Sequence, residues 1–362
     1  MPRLVLSVSL TIFLAAAAQG EAPVPPSASA ALSPAASPAL IDTLDAADLA
    51  RAIPLIKSNY INPAALSETE LQRATVAGLI SRLGRGVMLL PTRGAAAIST
   101  PTPFYREIID DHIGYLRPGN VNRAQLLELD TTLRGLPGKK VETIILDLRG
   151  CSESSDYATA AEFAMRFVPK GKLLFTLRGP DGKQVRAFSS NQDPIYSGFV
   201  VLLVDGETVG ATEVLAAVVR SYDKAIVIGE PTAGRAVDYS DLPLPSGKIL
   251  RVAVAEAILP DHQPRFPTGV QPDLPVALPV AEKEQIFEQS LTKGMAPFVF
   301  EADRPHLNEA ALLAGTNPEI EAAQQRRARG GDRPTLHDAV LQRAVDLVTS
   351  IGVFEKQPGH LP

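Results

Sequence analysis

The sequence has almost no cysteine, no excess of positive charge and no nucleotide-binding glycine motif, and each absence removes a class of function. Cys151 stands alone, so no disulfide can form within the chain, and an oxidising compartment is neither required nor excluded. The formal net charge of -5 gives no general attraction for nucleic acid or an anionic membrane. No Gly-Lys-Ser/Thr follows a strand-ending glycine and no Gly-x-Gly-x-x-Gly occurs, which argues against phosphate loops and dinucleotide sites. His262, His306, His337 and His360 lack metal-ligand spacing, so no metal and no cofactor is expected.

What is present is a 362-residue chain, 45% hydrophobic and 21% charged, enough for a substantial core. Arg3 precedes an apolar run from Leu4 to Ala18 and small residues at Ala16 to Gly20. That order predicts a secretory signal peptide over residues 1–20, and hence an exported, periplasmic or extracellular protein. The run is shorter than the roughly 20 apolar residues that span a bilayer, and no later stretch is apolar enough, so no membrane span is expected in the mature chain. Residues 21–40, rich in alanine, proline and serine, read as a disordered linker.

Residues 41–91 read as a helical segment, with Leu49, Ile53 and Ile56, then Val76, Leu79 and Leu83, at threes and fours. Ser67 and Glu70 have capping-box spacing, and packing of these helices on the main domain is the default expectation. A connection from Thr92 to Pro103 leads into alternating strands and helices over residues 104–278, the pattern of an α/β domain on a buried sheet. Residues 282–357 return to helix, with Leu336, Val340, Leu341, Val345 and Leu347 as a stripe expected to dock on the core. Arg326, Arg327 and Arg329 have no interleaved aromatics and read as solvated surface.

Two strand-turn-helix junctions should carry any chemistry, because backbone N–H groups at a helix start stabilise a developing anion. One runs from Ile144 through Asp147, Arg149 and Cys151 to Ser154; the other from Val200 through Asp205, Gly206 and Gly210 to Leu215. With Ile113-Gly114-Tyr115-Leu116-Arg117, Gly229-Glu230-Pro231-Thr232-Ala233-Gly234 and Gly269-Val270-Gln271-Pro272-Asp273, they give five ordered segments whose sequence and spacing resemble the tail-specific (carboxyl-terminal processing) serine proteases. The resemblance implies a crotonase- and Clp-protease-like spiral α/β core with helices before and after it, and a polypeptide partner.

Against that family pattern, Glu213 aligns with a family glutamate and puts Gly210 at the serine nucleophile position. Gly234 aligns with a family glycine and puts Arg235 at the position of the lysine base, 25 residues further on. Glycine cannot attack a carbonyl, and arginine keeps its proton and suits a carboxylate partner instead. Cys151-Ser152-Glu153-Ser154 stands where the family has Asn-Pro-Gly-Gly, so the oxyanion turn, with Ala211, Glu153 and Ser154 at its positions, gains a carboxylate that opposes negative charge.

Rescue candidates are Thr208 and Thr212, although threonine at a helix start is more often a cap, and Cys151 paired with His112, although a lone cysteine after a buried strand is more often packing. The short 92–103 connection also leaves no room for the PDZ domain that many relatives carry. The expectation is a proteolytically inactive relative that binds peptide or protein. The alternatives are an active, Thr- or Cys-rescued endopeptidase acting on unfolded polypeptide C-termini, and a protein whose helical ends mediate oligomerisation.

Overall fold

The computed structural model describes residues 40–91, 102–136, 141–263, 265–299 and 336–355. The expected signal peptide, all of the linker but Leu40, most of the 92–103 connection, the Arg326 to Arg329 cluster, His306 and His360 lie outside these residues.

The chain divides into two compact units, Met1–Thr75 and Val76–Pro362. In the first, α1 (Ala46–Asn59) is capped by Asp45, whose side chain accepts from Asp48 N–H, and carries Lys57 in its last turn, where a cation suits the helix dipole. α2 (Glu68–Leu83) starts in this unit and continues past Thr75 into the second, with Glu70 N–H donating to Ser67 Oγ as the capping spacing predicts. Within these helices Leu49, Ile53, Ile56 and Leu79 are exposed.

The second unit is mixed α/β with helices at both ends of the core, the class expected. Its main sheet contains β2 (Tyr105–Ile109), β3 (Ile113–Arg117), β4 (Thr143–Asp147), β7 (Phe199–Val204), β8 (Ala225–Gly229) and β11 (Leu274–Pro275), in the order β11-β8-β7-β4-β3-β2. All pairs are parallel except β2 with β3. β4 and β7 are near-continuous apolar runs because the sheet is covered on both faces.

Alternate residues therefore enter different cores. Ile144, Leu146, Leu202 and Val204 pack with α3 (Arg123–Gly135), α4 (Tyr157–Ala164) and α5 (Gly210–Ser221). Ile145, Val201 and Leu203 pack with α6 (Val280–Lys293), α7 (Ala296–Val299) and α8 (Ala339–Glu355). In α8, Val340, Leu341 and Val345 are buried, with Leu336 and Leu347 partly buried beside them, so the predicted C-terminal stripe does dock.

A second, antiparallel sheet holds β1 (Val87–Leu90), β5 (Leu173–Arg178), β6 (Gln184–Ser189), β9 (Val237–Pro243) and β10 (Ile249–Ile258). β10 is its hub and pairs with β1, β5 and β9. Leu174, Phe175, Ala255 and Ala257 send this sheet into the same core as the crossover helices.

Candidate functional site

The parallel neighbours β4, β7 and β8 end at the same edge of the sheet, with Asp147 beside Leu203 and Val204 beside Gly229. Three turns therefore meet there, which is where open α/β sheets place ligands. They interlock through the backbone: Leu148 N–H donates to Leu203 O at 2.9 Å, Ala233 N–H to Thr208 O at 3.1 Å, and Ala211 N–H to Ser154 O at 2.9 Å.

Gly210 opens α5 with φ of 59°, a left-handed conformation that glycine tolerates, and a Cβ there would lie 2.6 Å from Ser154 O. A side chain at this position therefore needs the Ser154 backbone to move. One residue on, Ser154 O takes the Ala211 N–H, a donor of the helix start that has no partner within the helix and would otherwise be available to an anionic ligand.

Arg235 leaves a tightly held turn. Its N–H donates to Glu213 Oε2 at 3.1 Å, and the preceding Gly234, at φ of 64°, allows no Cβ because Pro267 O would lie 2.0 Å away. Glu213 is fully buried, and its Oε1 has no hydrogen-bond partner. Burial pushes its carboxyl from 4.5 up to about 7, against backbone donors from Arg235 and Gly234 that favour the charged form.

Gly210 and Arg235 line one open cleft of about 330 Å³, with Glu153 and Ser154 from the first turn, Tyr239 and Asp241 from β9, and Arg251 from β10. Arg235 Nη1 lies 3.9 Å from Glu153 Oε1, both side chains being partly exposed. Arg251 is committed, donating through Nε and Nη2 to the two carboxylate oxygens of Asp241 at 2.7 and 3.0 Å.

The rescue candidates lie elsewhere. Thr208 is fully buried, and its hydroxyl accepts from Asp205 N–H at 3.1 Å while facing Leu148 O and Asp205 Oδ1, which makes it a turn lock. Thr212 is buried inside α5. Cys151 is buried and donates to Pro118 O at 3.0 Å. Burial, reinforced by the Asp147 and Asp205 carboxylates, drives its thiol far above the ordinary value, so it holds its proton. The proposed pairing with His112 is also undone by topology. His112 precedes β3 and Cys151 follows β4, at opposite ends of two parallel strands, roughly 10 Å or more apart at about 3.3 Å per residue. His262 and His337 are exposed.

The Asp147-Leu148-Arg149 segment, by contrast, faces inward. Arg149 donates to Asp147 Oδ1 and Oδ2 at 2.9 and 2.7 Å and to Asp338 Oδ1 and Oδ2 at 3.0 and 2.8 Å, with all three side chains buried. Tyr115 donates to Asp147 at 2.7 Å, and Asp338 also accepts from Leu341 N–H at the start of α8. Burial alone would raise the Asp147 carboxyl, but the Arg149 guanidinium outweighs it and holds the group below its ordinary value.

A similar clamp holds the second turn, where buried Lys283 of α6 reaches Asp205 at 2.5 Å and Glu207 at 2.6 Å. Arg117 stacks over Phe287, 3.9 Å from its ring centroid. Sequence reasoning missed Asp338 and Lys283. Asp338 is legible as a helix cap, but its partner lies 189 residues away.

Residues 112–276 match the sequence model of Peptidase family S41. The carboxyl-terminal-processing peptidase 1 of Arabidopsis thaliana is 24% identical over 177 residues, covering 48% of this chain and 36% of that protein. The carboxy-terminal processing protease CtpA of Bacillus subtilis is 25% identical over 175 residues, covering 48% and 37%. The solved photosystem II D1 C-terminal processing protease aligns at 22% identity and a TM-score of 0.42, over 58% of this chain and 53% of that one.

Over residues 112–276 the chain is thus similar to Peptidase family S41, and the curated relatives it matches are carboxyl-terminal processing proteases. It spans little more than a third of the length of these two curated relatives. Among the described residues, no helix is long and apolar enough to cross a membrane.

Proposed function

We propose that this chain is a proteolytically inactive, exported relative of the tail-specific peptidases, which uses the cleft between its three turns to bind extended polypeptide. The observation that carries the reading is the contact between Ser154 O and Ala211 N–H beside Gly210. In the family register, Gly210 takes the nucleophile position, Arg235 the base position and Ala211 an oxyanion position, so all three elements of acyl transfer are altered together.

The binding half of the proposal rests on β9, which pairs only with β10 among the described residues and borders the cleft through Tyr239 and Asp241. A strand with one open edge can accept an extended chain by β-augmentation. Export rests on the residue pattern from Arg3 to Gly20 alone.

The test is cleavage of unfolded casein by the purified chain, beside the Gly210→Ser/Arg235→Lys double variant. Neither is expected to cleave above the buffer rate, the variant because Glu153 still stands in the first turn, where a carboxylate opposes the negative charge of a tetrahedral intermediate. Wild-type turnover that survives Gly210→Ala would sink the inactive reading. Turnover restored by the double variant would show that the first turn, with Glu153 in it, still supports acyl transfer.

A further inference from the structure

Of the two arginines in the cleft, one is saturated and the other is not. Arg251 is bound by both oxygens of Asp241, whereas Arg235 makes no side-chain hydrogen bond among the described residues and meets Glu153 only at 3.9 Å. The Arg235 backbone is nevertheless fixed, by its N–H bond to buried Glu213 and by Gly234 packed against Pro267 O. A rigid turn thus presents a permanent, partly exposed cation into a cleft that also has an open strand edge.

Resting on the peptide-binding reading above, we infer that Arg235 is the specificity-determining residue of this cleft and captures a carboxylate of the bound peptide, displacing Glu153. Three features favour a carboxylate. The planar guanidinium donates two parallel bonds to such a group. Gly210 places no side chain in the cleft beside it. Glu153, the anion that Arg235 faces at rest, is 45% exposed and lies at the outer limit of ion pairing, where opening a contact costs little.

Glu153 also acts as a filter. A neutral ligand leaves it beside Arg235, an acidic ligand takes its place, and a basic ligand meets Arg235 and gains nothing. The captured carboxylate can come from an Asp or Glu side chain or from a free chain end.

The experiment is fluorescence anisotropy with the full chain and three labelled Ser/Thr/Ala decapeptides of one length. One has a central Asp and an amidated end, one a central Asn and an amidated end, and one a central Asn and a free carboxylate. The Asp peptide, the free-end peptide or both should bind about tenfold more tightly than the neutral peptide, and whichever does so identifies the source of the carboxylate.

Arg235→Gln should abolish the preference, so that acidic and neutral peptides bind alike, and Glu153→Gln should strengthen binding of the acidic peptides. The preference should also shrink as salt rises from 50 to 500 mM, roughly following charge screening. Equal binding of all three peptides, or a preference that survives Arg235→Gln, overturns this inference while leaving peptide binding intact. Binding of none of them overturns peptide binding as well.

Discussion

Two arginine-carboxylate clusters flank the first turn of this domain, and they differ in what burial has demanded of them. Arg149 sits inside with two carboxylates and four hydrogen bonds no longer than 3.0 Å, whereas Arg235 sits in a cleft with one carboxylate at 3.9 Å. A charge removed from water needs complete partners, whereas one left in contact with water does not. The buried cluster is therefore committed to holding α8 on the sheet, and the cleft pair retains the freedom to exchange partners.

Removing the guanidinium of the buried cluster should have the largest effect. Arg149→Met leaves the carboxylates of Asp147 and Asp338 buried without their cation and should cost roughly 3–5 kcal/mol in urea unfolding. A loss below about 1 kcal/mol, the range of exposed pairs, would mean that the cluster is not the anchor described here. Asp338→Ala should also release the start of α8, seen as faster amide exchange at Leu341 and Gln342, whose N–H groups bond to Asp338.

Next in size is the buried carboxyl beneath Arg235. Because burial raises Glu213 from 4.5 to about 7, the folded state binds the extra proton between those values. Its contribution is fully favourable below about 4.5 and is lost as pH rises through about 7. At about 1.4 kcal/mol per pKa unit, the loss amounts to about 3 kcal/mol. Glu213→Gln should match the wild type near pH 4 and exceed it at pH 8 by up to that amount. Parallel stability curves across this range would contradict the assignment.

The parts of this picture that sequence reading reached are those written in side-chain pattern. β7 and α5 announce themselves through Phe199 to Val204 and through the apolar helix that follows, and Gly210 and Arg235, set side by side by the family resemblance, both line one cleft. β9 is harder to see. Asp238, Ser240 and Asp241 break its apolar pattern, Asp241 at the cleft. The contact of Ser154 O with Ala211 N–H is backbone to backbone, and no residue type encodes it. The Arg149–Asp338 clamp depends on a tertiary pairing that local periodicity cannot carry.

A smaller effect tests how tightly the first turn is closed over α5. Gly210→Ala combines a left-handed φ of 59° with a Cβ 2.6 Å from Ser154 O, and the expected cost is about 1–3 kcal/mol by thermal or urea unfolding. The same substitution at Gly206, where an added Cβ meets nothing within 4 Å, controls for the general effect of alanine. Equal behaviour of the two variants would mean that the Ser154 segment gives way readily.

The smallest effect belongs to the cleft pair itself, and its smallness carries the meaning. Glu153→Gln removes an anion that is 45% exposed and 3.9 Å from its partner, so stability should change by less than about 1 kcal/mol. A buried structural bridge would not allow this, as the Arg149 variant should demonstrate in the same assay. If Glu153→Gln instead destabilises the domain by as much as Arg149→Met, the cleft pair is a second anchor and is not available for exchange. If it leaves the domain intact, the two clusters divide the work as their burial dictates: one holds the C-terminal helix in place, and the other stays open to a ligand.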